Sequence, residues 1–375
     1  MTDASPESLR IAMLGSRGVL SRYSGIEVAL RELCPRLAAR GHQVTVYARW
    51  DGGPRATLWR GVTVLKVPAV PTKHLETLTR TALSVGHALI RGYDVVHLHA
   101  VGPALFAPLP RARGSHVIVT VQGLDWQRRK WGWLARRVLR AGEYAAARFP
   151  HATIVVSPVL KRYFDTKYHL DTVYIPNGVS LPVCREPEII RQYGLAGQDY
   201  VLFASRLVPE KGCHHLIEAF LRLRPNLRLV IAGGAEHSDA YARRLREQAA
   251  SAPAVIFVGH VEGPVLEELF SNAYLYILPS EVEGLSLSLL EAMAYGRCAL
   301  VSDIPENACV VEGNLGFTFR SGDVDDLARM LAFLVAQPQL VAETGRRARA
   351  HVAQHYNWDT ITDQTEALYR ALVAR

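Results

Sequence analysis

Three features of the sequence predict an α/β protein of two doubly wound, Rossmann-like domains. Short apolar runs alternate with amphipathic helical stretches almost throughout, which implies parallel sheets covered on both faces. The alternation breaks once, over residues 175–198, and then starts again. The length of 375 residues also exceeds what one hydrophobic core usually serves.

In chain order, the first half offers RIAMLG, QVTVYA, VTVLKV, YDVVHLH, HVIVTV, ATIVVS and TVYIP as strands. Between them lie helical patterns such as IEVALRELCPRLAARG, whose apolar positions recur every three or four residues and which stops at Gly41. The break, IPNGVSLPVCREPEIIRQYGLAGQ, is rich in proline, glycine and charge and reads as a linker. The second half supplies YVLFAS, LRLVIAG, AVIFVG, AYLYILP and CALVS. The expected domains are 1–176 and 199–356, joined by 177–198 and facing a cleft. The closing segment WDTITDQTEALYRALVAR has helical periodicity, and its spacing leaves its destination open.

Charge divides unevenly. Residues 1–180 hold 25 Lys+Arg and 11 Asp+Glu, a balance of +14; residues 181–375 hold 18 and 24, a balance of −6. A basic half joined to an acidic half points to different partners, with anionic surfaces or phosphates for the first. The five cysteines form no CxxC pair, which suits a reducing compartment. MTDASPESLR lacks the apolar stretch of a signal peptide, and no run reaches the roughly 18 apolar residues of a membrane span. A cytoplasmic protein is expected, with no nucleic-acid partner.

The chemistry should lie where strands end. In ASRLVPEKG (204–212), Arg206 and Lys211 flank a short loop that leads into KGCHHLIEAFLRL. Two cations beside a helix start suit a diphosphate, because guanidinium, ammonium and free N–H groups all favour negative charge. In EVEGLSLSLLEAMAYG (281–296), Glu283 and Glu291 stand eight residues apart, roughly 12 Å at helical rise. That is too far for one catalytic pair. It suits two tasks along an extended ligand, one on a ribose and one on a sugar ring.

Together these residues resemble the retaining glycosyltransferases of family 4, with the GT-B fold, over essentially the whole chain. Glu283…Glu291 matches the E-x7-E element, and SRLVPEKG, IPNGV (175–179), IAGG (231–234) and FVG (257–259) stand in the family's order. GSRGVLSRYSGIEVALRELCPRLAARGHQVTVYAR and VTVQGLDWQRRKWG look like the branch of bacterial rhamnosyl- and polysaccharide glycosyltransferases. The resemblance implies a nucleoside-diphosphate sugar as donor and a glycan or lipid-linked acceptor, with no further cofactor. By it, Arg206 and Lys211 would hold the pyrophosphate and Glu291 the ribose. Glu283, with the amides of Gly284, Leu285, Ser286 and Leu287, would face the sugar and distal phosphate. Val258 and Gly259 would lie near the base, and Gly18 and Gly25 would admit backbone to the phosphates. The last helix (357–375) would cross back onto the first domain.

One position departs from the family. A histidine often follows the fifth strand of the first domain, whereas TVQGLDW places Gln122 there. Glutamine cannot take a proton at neutral pH, and His99 at another strand end is the nearest substitute. No metal is expected. His97-x-His99 lacks a third partner, and Asp323-Val-Asp325 reads as a helix cap rather than a DxD site. A sugar-nucleotide epimerase or a silent sugar-nucleotide binder are the rival activities. A dinucleotide-dependent dehydrogenase is disfavoured, because GSRGVLSRYSG lacks G-x-G-x-x-G. Finally, DWQRRKWGWLARRVLRAG (125–142) sets tryptophans beside arginines. This composition suits peripheral contact with an anionic membrane, with Trp126, Trp131, Leu134 and Val138 on one helical face.

Overall fold

The structure is a computed structural model that describes residues 8–374 apart from 22–23, 71, 73–74, 129–130 and 236–238. The chain forms two compact units, one of residues 1–177 with 358–375 and one of residues 178–357.

The first unit is built on eight strands: β1 (Arg10–Leu14), β2 (Gln43–Arg49), β3 (Ala56–Trp59), β4 (Val62–Val67), β5 (Val95–His99), β6 (His116–Val121), β7 (Ala152–Val155) and β8 (Val173–Tyr174). Their order is β3-β4-β2-β1-β5-β6-β7-β8, and every pairing except β3 with β4 is parallel. The β3–β4 hairpin turns through Arg60 and Gly61, both at positive φ, as a two-residue turn that follows the strand twist requires. Strand β3 has two exposed and two half-buried residues, so it carries little of the apolar signal by which the others announce themselves.

The second unit contains β9 (Tyr200–Ala204), β10 (Arg228–Ala232), β11 (Val255–Gly259), β12 (Leu275–Leu278), β13 (Ala299–Ser302) and β14 (Phe317–Phe319), all parallel in the order β11-β10-β9-β12-β13-β14. Strands β9, β12 and β13 are buried throughout, as expected where helices cover both faces.

Residues 178–198, expected as part of a linker, pack into the second unit. Ile190 and Leu195 enter its core, and the buried Glu268 carboxylate accepts from the N–H groups of Glu188, Ile189 and Ile190 at 2.7–3.0 Å. A polar composition hid two apolar anchors and one acid 78 residues away that satisfies the backbone.

The helix Trp358–Val373 belongs to the first unit. Trp358, Ile361, Tyr369 and Leu372 join the core that holds Ile11, Met13, Leu30 and Val46. Its polar side is fastened by Arg36 to Asp359 at 2.9 Å and by Arg40 to Asp363 at 2.5 Å and Glu366 at 2.9 Å. Burial opposes charge on Glu366, yet hydrogen bonds from Arg40, Arg370 and His42 bring its carboxyl down to about 2.

Candidate functional site

In a parallel sheet the connections run to one side of a strand and later to the other, and loops part at that switch point to leave a crevice. In the second unit the switch lies between β9 and β12. The loops that follow these strands carry the predicted donor residues. They press together so closely that a Cβ on Gly212, at φ +67°, would overlap the carbonyl of Pro279. Glycine is required there by both its backbone angle and its contact.

Lys211 ends a short 3-10 turn, and its Nζ reaches Glu283 Oε1 at 2.5 Å. Both side chains are largely shielded from solvent, at 12% and 9% exposure. The sequence assigns these residues to separate tasks; the fold makes them a pair. Arg206 sits half-buried in the same loop. The helix Leu287–Ala294 starts at Ser286, whose hydroxyl accepts from the Leu289 N–H. Gly284 is buried, whereas Leu285, Leu287 and Glu291 are half-buried. Ser288 accepts from the buried Tyr276 hydroxyl at 2.8 Å, which fixes this first turn from beneath. Val258 and Gly259 end β11, two strands from β9, and the Gly259 carbonyl accepts from Gly233 at 2.7 Å. Glu306, which sequence reasoning missed, lies near Glu283. Burial first, and then the charge of Glu283, push its carboxyl up. No pattern marks it, since it starts a separate helix, Pro305–Val311.

The switch point of the first unit lies between β1 and β5. Gly18, at φ +95°, turns with its Cα against Ala48, so any side chain there would overlap that residue. The packing alone accounts for glycine at this position. Gly25 is the first residue of the helix Gly25–Ala39, and Glu27 in its first turn accepts from the Arg17 N–H at 2.8 Å. His99 is 4% exposed, and neither ring nitrogen has a hydrogen-bond partner among the described residues. It stacks on His97, whose nitrogens meet the hydroxyls of Tyr369 and Thr120, both at 2.6 Å. Burial pushes His99 down to about 3, so its imidazole is neutral near pH 7 and a poor proton acceptor. This argues against the substitute-base role expected for it. Gln122 exchanges hydrogen bonds with Asn177, donating at 3.4 Å and accepting at 2.8 Å.

Asp323 caps the helix Val324–Val335, accepting from the Asp326 N–H at 2.9 Å, and His97 is occupied by its two hydroxyls. The basic tryptophan segment is not one helix. Asp125–Gln127 forms a 3-10 turn, and the helix begins at Trp133. Trp126 leaves the expected apolar face: its Nε1 donates to the buried Glu143 at 2.5 Å, and Arg140 covers its ring. Glu143 also accepts from Tyr163, Lys167 and Tyr168. Trp133 and Leu134 instead stand 70% and 61% exposed beside Arg136 and Arg137. Arg129 and Lys130 lie outside the described residues.

Two family models match consecutive stretches of the chain. Residues 23–182 match Glycosyltransferase Family 4, and residues 185–351 match the group 1 glycosyl transferases. The chain belongs to the GT-B glycosyltransferases of family 4. It is 27% identical to a glycogen synthase of Mycobacterium tuberculosis, over 92% of this chain and 91% of that one. It is also 27% identical to a GDP-mannose-dependent α-(1-6)-phosphatidylinositol monomannoside mannosyltransferase of Mycolicibacterium smegmatis, over 90% and 93%. Among solved structures, sucrose-phosphate synthase from Thermosynechococcus elongatus superposes with a TM-score of 0.86 at 22% identity, covering 97% of this chain and 99% of that one. Anabaena HepE, in complex with UDP and glucose, superposes at 0.80 and 21% identity, covering 97% and 100%. This glycosyltransferase has, among its described residues, no helix long and apolar enough to cross a membrane.

Proposed function

We propose that this glycosyltransferase moves a sugar from a nucleoside-diphosphate donor to an acceptor hydroxyl with retention of anomeric configuration. The observation that carries the reading is the Lys211–Glu283 pair beside Arg206 at the switch point of the second sheet. A diphosphate entering there meets two cations and the N–H groups that open the Leu287–Ala294 helix. Lys211 would then exchange its carboxylate partner for a phosphate oxygen, leaving Glu283 to accept hydrogen bonds from the sugar. Glu291, one helical segment on, is assigned to the ribose hydroxyls, and Val258 and Gly259 to the base.

In the transfer, the bond between the anomeric carbon and the phosphate oxygen breaks. The acceptor oxygen bonds to the same face of that carbon, and its proton passes to the departing phosphate. No protein base is assigned, in keeping with Gln122 and a neutral His99. Arg206 and Lys211 supply the positive charge the leaving diphosphate needs, so this step requires no metal ion. The relatives' names include a lipid mannosyltransferase and HepE was solved with UDP and glucose, which supports a hexosyl donor and a glycan or lipid-linked acceptor. The exposed Trp133 and Leu134 with Arg136 and Arg137 would let the first unit rest on an anionic leaflet that carries such an acceptor. The deciding experiment is incubation with a panel of UDP-, GDP- and ADP-sugars. A transferase releases nucleotide slowly without acceptor; a new sugar nucleotide would indicate an epimerase, and saturation without turnover a binder.

A further inference from the structure

We propose that His214, His215 and Glu281 form a binding site for a divalent transition cation such as Zn²⁺, beside the donor loops but outside the transfer chemistry. Among the described residues this is the one group of three metal-type side chains whose ligand atoms all lie within 4.8 Å of one another. The two histidines occupy the first turn of the helix Cys213–Leu223, where neighbouring side chains ordinarily diverge. Here the rings lie 3.9 Å apart between centroids, and Glu281 approaches from the loop after β12. His215 Nε2 and Glu281 Oε1 are 3.3 Å apart. That is about the edge of a tetrahedron whose metal–ligand bonds are roughly 2.0–2.1 Å, the usual zinc distance to imidazole and carboxylate.

The surroundings orient one of the three. Tyr241 holds His214 Nδ1 at 2.8 Å and also accepts from the His214 backbone N–H at 3.3 Å. In the metal-binding tautomer the His214 Nδ1–H donates to the Tyr241 oxygen, which leaves the Nε2 lone pair for the ion. The three residues are half-buried, which leaves a path for an ion and for a fourth, exchangeable ligand. The sequence conceals the group, because Glu281 is 66 residues beyond His215.

A bound cation would tie the loop after β12 to the helix that follows the β9 loop. These segments already touch, since the Glu281 N–H donates to the Glu210 carbonyl at 2.9 Å, next to Lys211. The site thus braces the crevice floor without reaching the reacting sugar. Its existence does not depend on the donor assignment, and the test uses no nucleotide.

The full chain, stripped of metal, is titrated with Zn²⁺ alone against a chromophoric competitor. One ion per chain is expected, with X-ray absorption giving only nitrogen and oxygen neighbours at about 2.0–2.1 Å. His215→Ala and Glu281→Gln should each weaken binding at least about tenfold, and Tyr241→Phe about ten- to a hundredfold if it orients His214. Far-ultraviolet circular dichroism and melting temperature of the stripped variants confirm that each is folded. The stacked pair His351 and His355 elsewhere on the surface provides the control, so His351→Ala with His355→Ala should leave the affinity unchanged. Loss of binding in that control, indifference to His215→Ala and Glu281→Gln, sulfur in the coordination shell, or no uptake at micromolar zinc would each overturn the site.

Discussion

The two switch points of this molecule differ in what the strand beyond the switch carries at its end. In the second unit the crevice loops pair the shielded Lys211 and Glu283, with Glu306 near them and the half-buried Arg206 in the same loop as Lys211. In the first unit Arg17, in the loop after β1, pairs with Glu76, which also pairs with Arg80, and the ends of β5 and β6 carry a neutral histidine and a glutamine locked on an asparagine. Similar strand arrangements therefore both hold ion pairs and differ at the end of the strand beyond the switch, with Glu283 paired to Lys211 after β12 and a neutral imidazole after β5. A shielded cation such as Lys211 suits a diphosphate whose charge must be balanced, whereas Gln122 and a neutral His99 offer hydrogen bonds alone. The difference leaves no charged imidazole near pH 7 at the end of β5.

The strongest way to break this contrast is Lys211→Ala. Losing a shielded ammonium against a diphosphate should cost about 2–4 kcal/mol, a fall in affinity of about thirty- to a thousandfold by calorimetry with UDP, GDP or ADP. Arg206→Ala should fall in the same direction. Unchanged affinity in both variants would remove the phosphate assignment.

Glu283→Gln sharpens the same point, because the carboxylate now neutralising Lys211 competes with phosphate. Free-nucleotide affinity should hold or rise while turnover drops, whereas Glu291→Ala should lower free-nucleotide affinity. Equal loss of affinity in both would dissolve the division between sugar and ribose.

Acid stability tests the seam that completes the first unit. Glu366 is held at about 2, so it contributes stability fully present above the ordinary carboxylate range near 4.3 and lost as pH falls towards about 2. Urea midpoints of the parent should therefore drop between pH 5 and 3 more than those of Glu366→Gln. Parallel decline of the two would show that this carboxylate is not responsible.

The membrane contact should be a smaller effect. Trp133→Ala with Arg136→Glu and Arg137→Glu should abolish salt-sensitive binding to vesicles containing anionic lipid, with melting temperature retained. Binding to neutral and anionic vesicles alike would favour a soluble acceptor. Least of all should change with His99→Gln: transfer should persist, and the pH profile should show no basic group near 6.5 in the parent. Complete loss of turnover in a folded variant, with donor binding intact, would make His99 essential.

The strands are legible wherever burial makes them continuously apolar, as in β9 and β12. The misses have physical causes. Strands β3 and β14 are four and three residues long and partly exposed, so neither shows a run. Trp126 reads as part of an amphipathic face because spacing cannot show that it lies in a 3-10 turn ahead of the helix or that Glu143 accepts its N–H. For the site, sequence named both Lys211 and Glu283 but not their contact, since 72 residues separate them and only the order of strands brings them together. Residue types could be read; pairings could not.

The helix Trp358–Val373 has a consequence for how the chain comes into being. Synthesis delivers residues 178–357 before it, so the second unit has its whole sequence available while the first still lacks a piece of its core. Until that piece emerges, the faces of Ile11, Leu30 and Val46 that Trp358 and Ile361 will cover stay open, and His97 waits for Tyr369. During translation the second unit to be made is therefore the first that can be finished, and the nascent first unit depends for that interval on whatever shields its unfinished surface.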